Sequence, residues 1–192
     1  MHNILIVGVG GQGSLLASRI LGAFYTKQGL DVKLSEVHGM SQRGGSVVTY
    51  VRAGERVDSP IISRHTADMI LSFEAIEAAR YLEYLKPDGA LITSTQEIDP
   101  MPVITGAAAY PKDITEQVRS LGVNAVSVDA LSLAVEAGSP KAANVVMIGA
   151  ASTILGGSEE EWMEVLAACV PPKFLDMNRK AFLLGRAVSL AK

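Results

Sequence analysis

The stretch Asn3-Ile4-Leu5-Ile6-Val7-Gly8-Val9-Gly10-Gly11-Gln12-Gly13 constrains the fold more than any other. Ile4 to Val7 and Val9 form an apolar run of the kind that a strand buried on both faces carries. Gly8, Gly10, Gly11 and Gly13 then leave no bulk in the chain's path. Ser14 opens a helical pattern with Leu15, Leu16, Ile20, Leu21 and Phe24 on one side. Strand, glycine turn and helix predict the first unit of an α/β fold, a Rossmann-like, doubly wound, mostly parallel sheet. The glycines allow a sharp turn and close approach of helix to strand, and they leave N–H groups where an anion can sit.

The spacing Gly8-x-Gly10-x-x-Gly13 fits the dinucleotide fingerprint, with Gln12 and Ser14 completing the candidate site. Glu36, at the end of the next apparent strand, stands where a ribose-binding acid stands in such folds. The other reading is architectural: the glycines serve only the tight crossover.

The remaining chain divides readily. Asp31 to Val37 alternates as a second strand, and Ser46 to Arg52 as a third with a short return from Val57. This insert reads as an antiparallel hairpin at the sheet edge. Asp68 to Phe73, Ala90 to Ser94 and Asn124 to Val128 read as further strands. Glu74 to Leu85 reads as a helix with Ile76, Ala79, Tyr81, Leu82 and Leu85 inward, followed by a turn at Pro87-Asp88-Gly89. Asp113 and Asp129 stand as helix caps. The C-terminal part is helical: an apolar helix from Lys141 to Leu155, one opened by Ser158-Glu159-Glu160-Glu161, and one from Leu175 to Leu190. No repeat or linker interrupts it, so a single domain over 1–192 is expected.

Composition excludes several functions. The net charge is -3 with no basic run, so nucleic acid is not an expected partner. No segment has ~18 uninterrupted apolar residues and no secretory leader is read, so no membrane partner and a cytoplasmic location are expected. Cys169 is the only cysteine, which rules out an internal disulfide and the thiolates of an iron–sulfur cluster; in its apolar run it reads as a small buried hydrophobe. His2, His38 and His65 are too scattered for a metal pair, and no Gly-x-Ser-x-Gly elbow follows a strand. Hydrophobic residues make up 48% of the chain, which fits either a surface covered by a partner or a well-filled core.

The second informative stretch is Glu36-Val37-His38-Gly39-Met40-Ser41-Gln42-Arg43-Gly44-Gly45-Ser46. It places an imidazole, an amide and a guanidinium in a glycine-rich loop at a strand's carboxyl end, where open α/β sheets bind ligands. Arg43 suits a carboxylate, from a ligand or from a partner chain.

Together, Gly8-Val9-Gly10-Gly11-Gln12-Gly13 and Ser35 to Ser46 resemble the gamma-type domain of the 2-oxoacid:ferredoxin oxidoreductases, and within them the small beta subunit of the indolepyruvate type. Ser59-Pro60, Tyr81-Leu82, Leu85 to Gly89, Tyr110-Pro111 and Asn144 to Gly149 extend the resemblance over nearly the whole chain. The resemblance implies one pyruvate/ketoisovalerate oxidoreductase gamma-type domain over 1–192. It implies a small subunit that supports oxidative decarboxylation of a 2-oxoacid to acyl-CoA with reduction of ferredoxin. Thiamine diphosphate, iron–sulfur clusters and coenzyme A then belong to the assembled complex, and this chain binds none alone. The partner is a large catalytic subunit, with ferredoxin reached through it, and the isolated chain is inactive. No catalytic residue carries over. Glu36, His38, Gly39, Met40, Gln42, Arg43, Gly44, Gly45 and Asn144 become candidates for the subunit contact or an active-site wall. The alternative is a free-standing Rossmann-type NAD(P)-binding oxidoreductase.

Overall fold

A computed structural model describes residues 1–39 and 45–190. Six strands form one sheet in the order β2-β3-β1-β4-β5-β6. They are β1 (His2–Val9), β2 (Asp31–His38), β3 (Ser46–Gly54), β4 (Ala67–Ser72), β5 (Leu85–Ser94) and β6 (Asn124–Val128). β1 pairs parallel with β4, β4 with β5 and β5 with β6. β3 pairs antiparallel with both β1 and β2. It is therefore the one strand of the six that runs against the rest.

The helices are α1 (Ser14–Lys27), α2 (Ala75–Arg80), α3 (Met101–Ile104), α4 (Ile114–Ser120), α5 (Ala130–Ala137), α6 (Ala143–Leu155), α7 (Glu159–Cys169) and α8 (Leu175–Leu190). β1 sits inside the sheet, and its alternating side chains feed two cores. Ile4 and Ile6 enter a layer with Phe24, Val146, Trp162 and Phe182. Leu5 and Val7 enter a smaller one with Ile70, Leu91, Ile114 and Val118. A strand buried on both faces has no polar side to alternate with, which explains its continuous apolar run.

The first layer is the thicker. α6 is buried from Asn144 to Ser152 and packs against α8, α5 and α1. The Trp162 ring stacks on Phe24 at 3.9 Å, and its indole N–H donates to the Gly156 carbonyl at 2.9 Å. Ser158 and Glu161 form a reciprocal capping box at the start of α7.

The structure corrects several expectations. The expected antiparallel hairpin does lie at one edge of the sheet, but β2 and β3 form it: β2 is the edge strand there, and Ser46 to Gly54 lies between β2 and β1. The crossover through α1 carries β2 two positions away from β1, and the short β2–β3 connection folds β3 back into the vacant slot. Val57 starts no return strand; its N–H donates to the Asp31 carboxylate. Pro87-Asp88-Gly89 is not a turn but an irregularity within β5, where the pairing register with β4 shifts. The helix expected over Glu74 to Leu85 is short, with Ala79 exposed and Leu82 in a 3-10 turn, because β5 begins at Leu85. Cys169 is half-buried rather than enclosed.

Candidate functional site

The glycine turn lies at the carboxyl edge of the sheet, between α1 and the end of β4. Gly8 and Gly13 are needed there because side chains of this same chain fill the space. A Cβ on Gly8 would lie 2.7 Å from Gln12 Oε1 and 3.1 Å from the Phe73 Cβ. Gly13 has φ 87°, in the region that disfavours side chains, and a Cβ there would overlap the Asn144 amide.

Gln12 binds three strand ends together. Its Oε1 accepts from the Val9 N–H at 2.7 Å. Its Nε2 donates to the Phe73 carbonyl at 2.8 Å and to Gln96 Oε1 at 2.9 Å. The termini of β1, β4 and β5 are thus held by one amide whose donors and acceptor are engaged. Asn144, buried at the start of α6, donates from Nδ2 to the Gly13 carbonyl at 3.1 Å. The Gly10 N–H donates to the Gly45 carbonyl at 2.9 Å, which ties the turn to the start of β3.

Glu36 sits at the other side of the turn. Its Oε2 accepts from Ser14 Oγ at 2.7 Å and from Thr49 Oγ1 at 3.0 Å. A carboxylate beside the first residue of α1 supplies negative charge at the helix N-terminus from within the chain. It also repels a phosphate there. Glu36 is therefore poorly placed as a ribose-binding acid: β3 separates its strand from β1, and hydroxyls of the protein hold it.

Two clefts flank the turn. One, of about 380 Å³, opens between the turn, Phe73, Gln96 and the starts of α5 and α6, with Leu131, Lys141 and Met147 in its wall. This is the switch point of the doubly wound sheet, between β1 and β4. The other, of about 330 Å³, is lined by Gly10, Gly11, Gly13, Ser14, Leu15, Glu36, His38 and Val47. His38 is exposed there, and its Nδ1 is 3.0 Å from the Gly39 carbonyl.

The structure thus brings Gly8 to Ser14 together with Glu36, His38, Gly45 and Asn144, while Gly39 is exposed and lines neither cleft. Met40, Gln42, Arg43 and Gly44 lie outside the described residues. Among the described residues, no group of three His, Cys, Asp or Glu is placed to hold a metal ion, and no helix is long and apolar enough to cross a membrane.

Sequence reasoning missed a pair of buried acids below this edge. Glu74 caps α2 by accepting from the Glu77 N–H at 2.9 Å, and it also accepts from the Tyr110 hydroxyl at 2.5 Å and the Ile98 N–H at 3.1 Å. Glu77 accepts from Ser46 Oγ at 2.5 Å and from Arg80 Nε at 3.1 Å, fixing the first residue of β3. The signal for Glu74 was present: an acid just ahead of a helical run is a cap. Burial of Tyr110 and its bond to Glu74 hold the phenol well above its usual range, so it stays a donor.

The pyruvate ferredoxin/flavodoxin oxidoreductase family matches residues 3–188. The indolepyruvate oxidoreductase subunit IorB of Thermococcus kodakarensis is 47% identical over 191 residues, which is 96% of this chain and 94% of that one. A keto/oxoacid ferredoxin oxidoreductase gamma subunit from Geobacter sulfurreducens has the same fold, with a TM-score of 0.74 at 23% identity over all of both chains. The 2-oxoglutarate:ferredoxin oxidoreductase of Magnetococcus marinus, solved with 2-oxoglutarate, coenzyme A and succinyl-CoA bound, has a TM-score of 0.74 at 24% identity. It contains the fold within a longer chain, of which 31% is covered. These comparisons do not favour a free-standing NAD(P)-binding enzyme. The chain belongs to the pyruvate ferredoxin/flavodoxin oxidoreductase family, as the counterpart of the small subunits of 2-oxoacid oxidoreductases.

Proposed function

We propose that this chain is the non-catalytic small subunit of an indolepyruvate-type 2-oxoacid:ferredoxin oxidoreductase, folded as one gamma-type domain over 1–192 and working in the cytoplasm. The observation that carries this reading is the self-filled glycine turn. Gln12 and Asn144 fill the space that Gly8 and Gly13 leave, and Glu36 supplies the anion beside α1. A turn finished from within supports a shaped protein surface better than a nucleotide seat. The 47% identity with an indolepyruvate oxidoreductase subunit supports the choice of substrate.

The cofactors of such an enzyme do not fit this chain. One cysteine cannot ligate an iron–sulfur cluster. Glu36 beside the turn opposes the diphosphate of thiamine diphosphate. Both groups, and the site where coenzyme A meets the acyl intermediate, are assigned to the assembled complex and its large catalytic subunit. The small subunit presents the carboxyl edge, from the glycine turn to His38 and the loop that follows, to that partner.

Co-expression with the large subunit tests this. The two chains are expected to copurify and to reduce ferredoxin with indolepyruvate and coenzyme A, while the small subunit alone shows neither cluster absorbance nor turnover. Stoichiometric NAD(P) retention by the single chain, with no association, would overturn it.

A further inference from the structure

The cleft between the glycine turn and the β2–β3 hairpin has a carboxylate as its most charged wall. Glu36 uses one oxygen, Oε2, for both Ser14 and Thr49. Among the described residues no hydrogen bond engages Oε1. Two hydroxyl donors on one oxygen fix the carboxylate plane while leaving its other acceptor open. Gly10, Gly11 and Gly13 line the approach without side chains, so among the described residues the wall formed by the turn leaves room for a long side chain from outside. Leu15, 55% exposed, stands at the same cleft and offers an apolar contact for the methylene stem of such a side chain. The space, about 330 Å³, suits one arginine or lysine head.

We propose that Glu36 is the anchor for a basic side chain of the large catalytic subunit, most simply a guanidinium, inserted into this cleft on assembly. The proposal rests on the small-subunit reading above and goes beyond it by naming the contact and its charge. Charge complementarity chooses the occupant: a half-buried acid with an open oxygen disfavours an acidic or phosphate-bearing group and favours a cation that donates in the carboxylate plane. The neighbouring cleft has the opposite character, with the Lys141 ammonium side chain in its wall and no carboxylate among the described residues lining it, so a basic group has one preferred side of the turn.

The test titrates the large subunit with wild-type and variant small subunits at several salt concentrations. Glu36→Gln keeps an acceptor for Ser14 and Thr49 and is expected to weaken assembly about 30-fold or more, because a charge pair broken on one side leaves the other charge desolvated. The salt dependence of binding should flatten with it. Leu15→Lys provides a second reading that leaves the carboxylate and its donors intact. An ammonium at the cleft mouth is expected to weaken assembly most at low salt. Binding of both variants within twofold of wild type overturns this contact while leaving the small-subunit assignment standing. Failure of the wild-type chain to bind the large subunit at all overturns the assignment and this contact together.

Discussion

Two places in this molecule depend on glycine for opposite purposes. After β1, missing side chains make room for polar side chains: Gln12 beside Gly8 and Asn144 beside Gly13. Where α6 crosses α8, missing side chains make room for backbone. A Cβ on Gly149 would overlap the Phe182 carbonyl, and one on Gly185 the Val146 carbonyl. The first site is a hydrogen-bonded surface at the sheet's carboxyl edge. The second is a dry contact that fixes the depth of the larger core. The turn therefore tolerates rearrangement of flexible amides, whereas the helix crossing can answer a methyl group only by moving a helix.

The largest expected effect follows from that difference. Gly149→Ala and Gly185→Ala each gain helix propensity, about 1 kcal/mol in an exposed helix. Overpacking against backbone outweighs it. A net loss of about 3 kcal/mol is expected, with Tm lower by roughly 6–12 °C in a chain of this size. Thermal melting of the single chain is the measurement. Unchanged Tm for both variants would mean that the crossing is looser than the comparison requires.

Gly13→Ala comes next. The positive φ costs ~1 kcal/mol and displacement of the Asn144 amide about as much again. The comparison predicts a split readout. Tm falls by a few degrees, but assembly with the large subunit falls further, because the turn lies on the proposed contact surface. A Gly149→Ala chain that still folds should assemble normally at low temperature.

What could be read without coordinates follows the same division. β1, its turn and α1 are legible because burial on both faces and the glycine spacing are local signals. The placement of β3 is not, since pairing partners are set by the whole sheet and the pattern of Ser46 to Arg52 suits an edge or an inner position equally. The work of Gln12 is invisible for a related reason: its acceptors, Phe73 and Gln96, lie 61 and 84 residues away. Glu74 carries only the local signal of a cap and Glu77 none beyond its helix, and only the fold places Tyr110 and Ser46 over them. The Gly149–Gly185 contact has no local signature either, because glycine inside a helix reads as a weakness until another backbone is seen against it.

Tyr110→Phe probes the polar side at smaller amplitude. It removes one donor from a buried carboxylate that keeps two backbone N–H donors, from Glu77 and Ile98. A loss of about 1–2 kcal/mol is expected. Urea titration should show a lower midpoint with an unchanged slope, since the core is not opened.

The smallest effect gives the sharpest separation of the two regions, because it reads one of them selectively. Cys169 ends α7, half-buried, with its sulfur 3.9 Å from the Arg19 carbonyl of α1. Burial pushes its thiol above the usual range. At neutral pH the thiolate fraction is therefore below that of a free cysteine, and alkylation by iodoacetamide should be slow and rise about tenfold per pH unit. Loosening of the helical layer exposes the sulfur and lowers its pKa toward the free value. Gly149→Ala should then accelerate alkylation at pH 7 several-fold well below Tm. Gly13→Ala, which acts on the start of α1 and on the Asn144 amide rather than on the α6–α8 crossing, should leave the rate at wild type. Equal acceleration by both variants would mean that the carboxyl edge and the helical layer open as one unit, and the contrast drawn between the two glycine sites would fail.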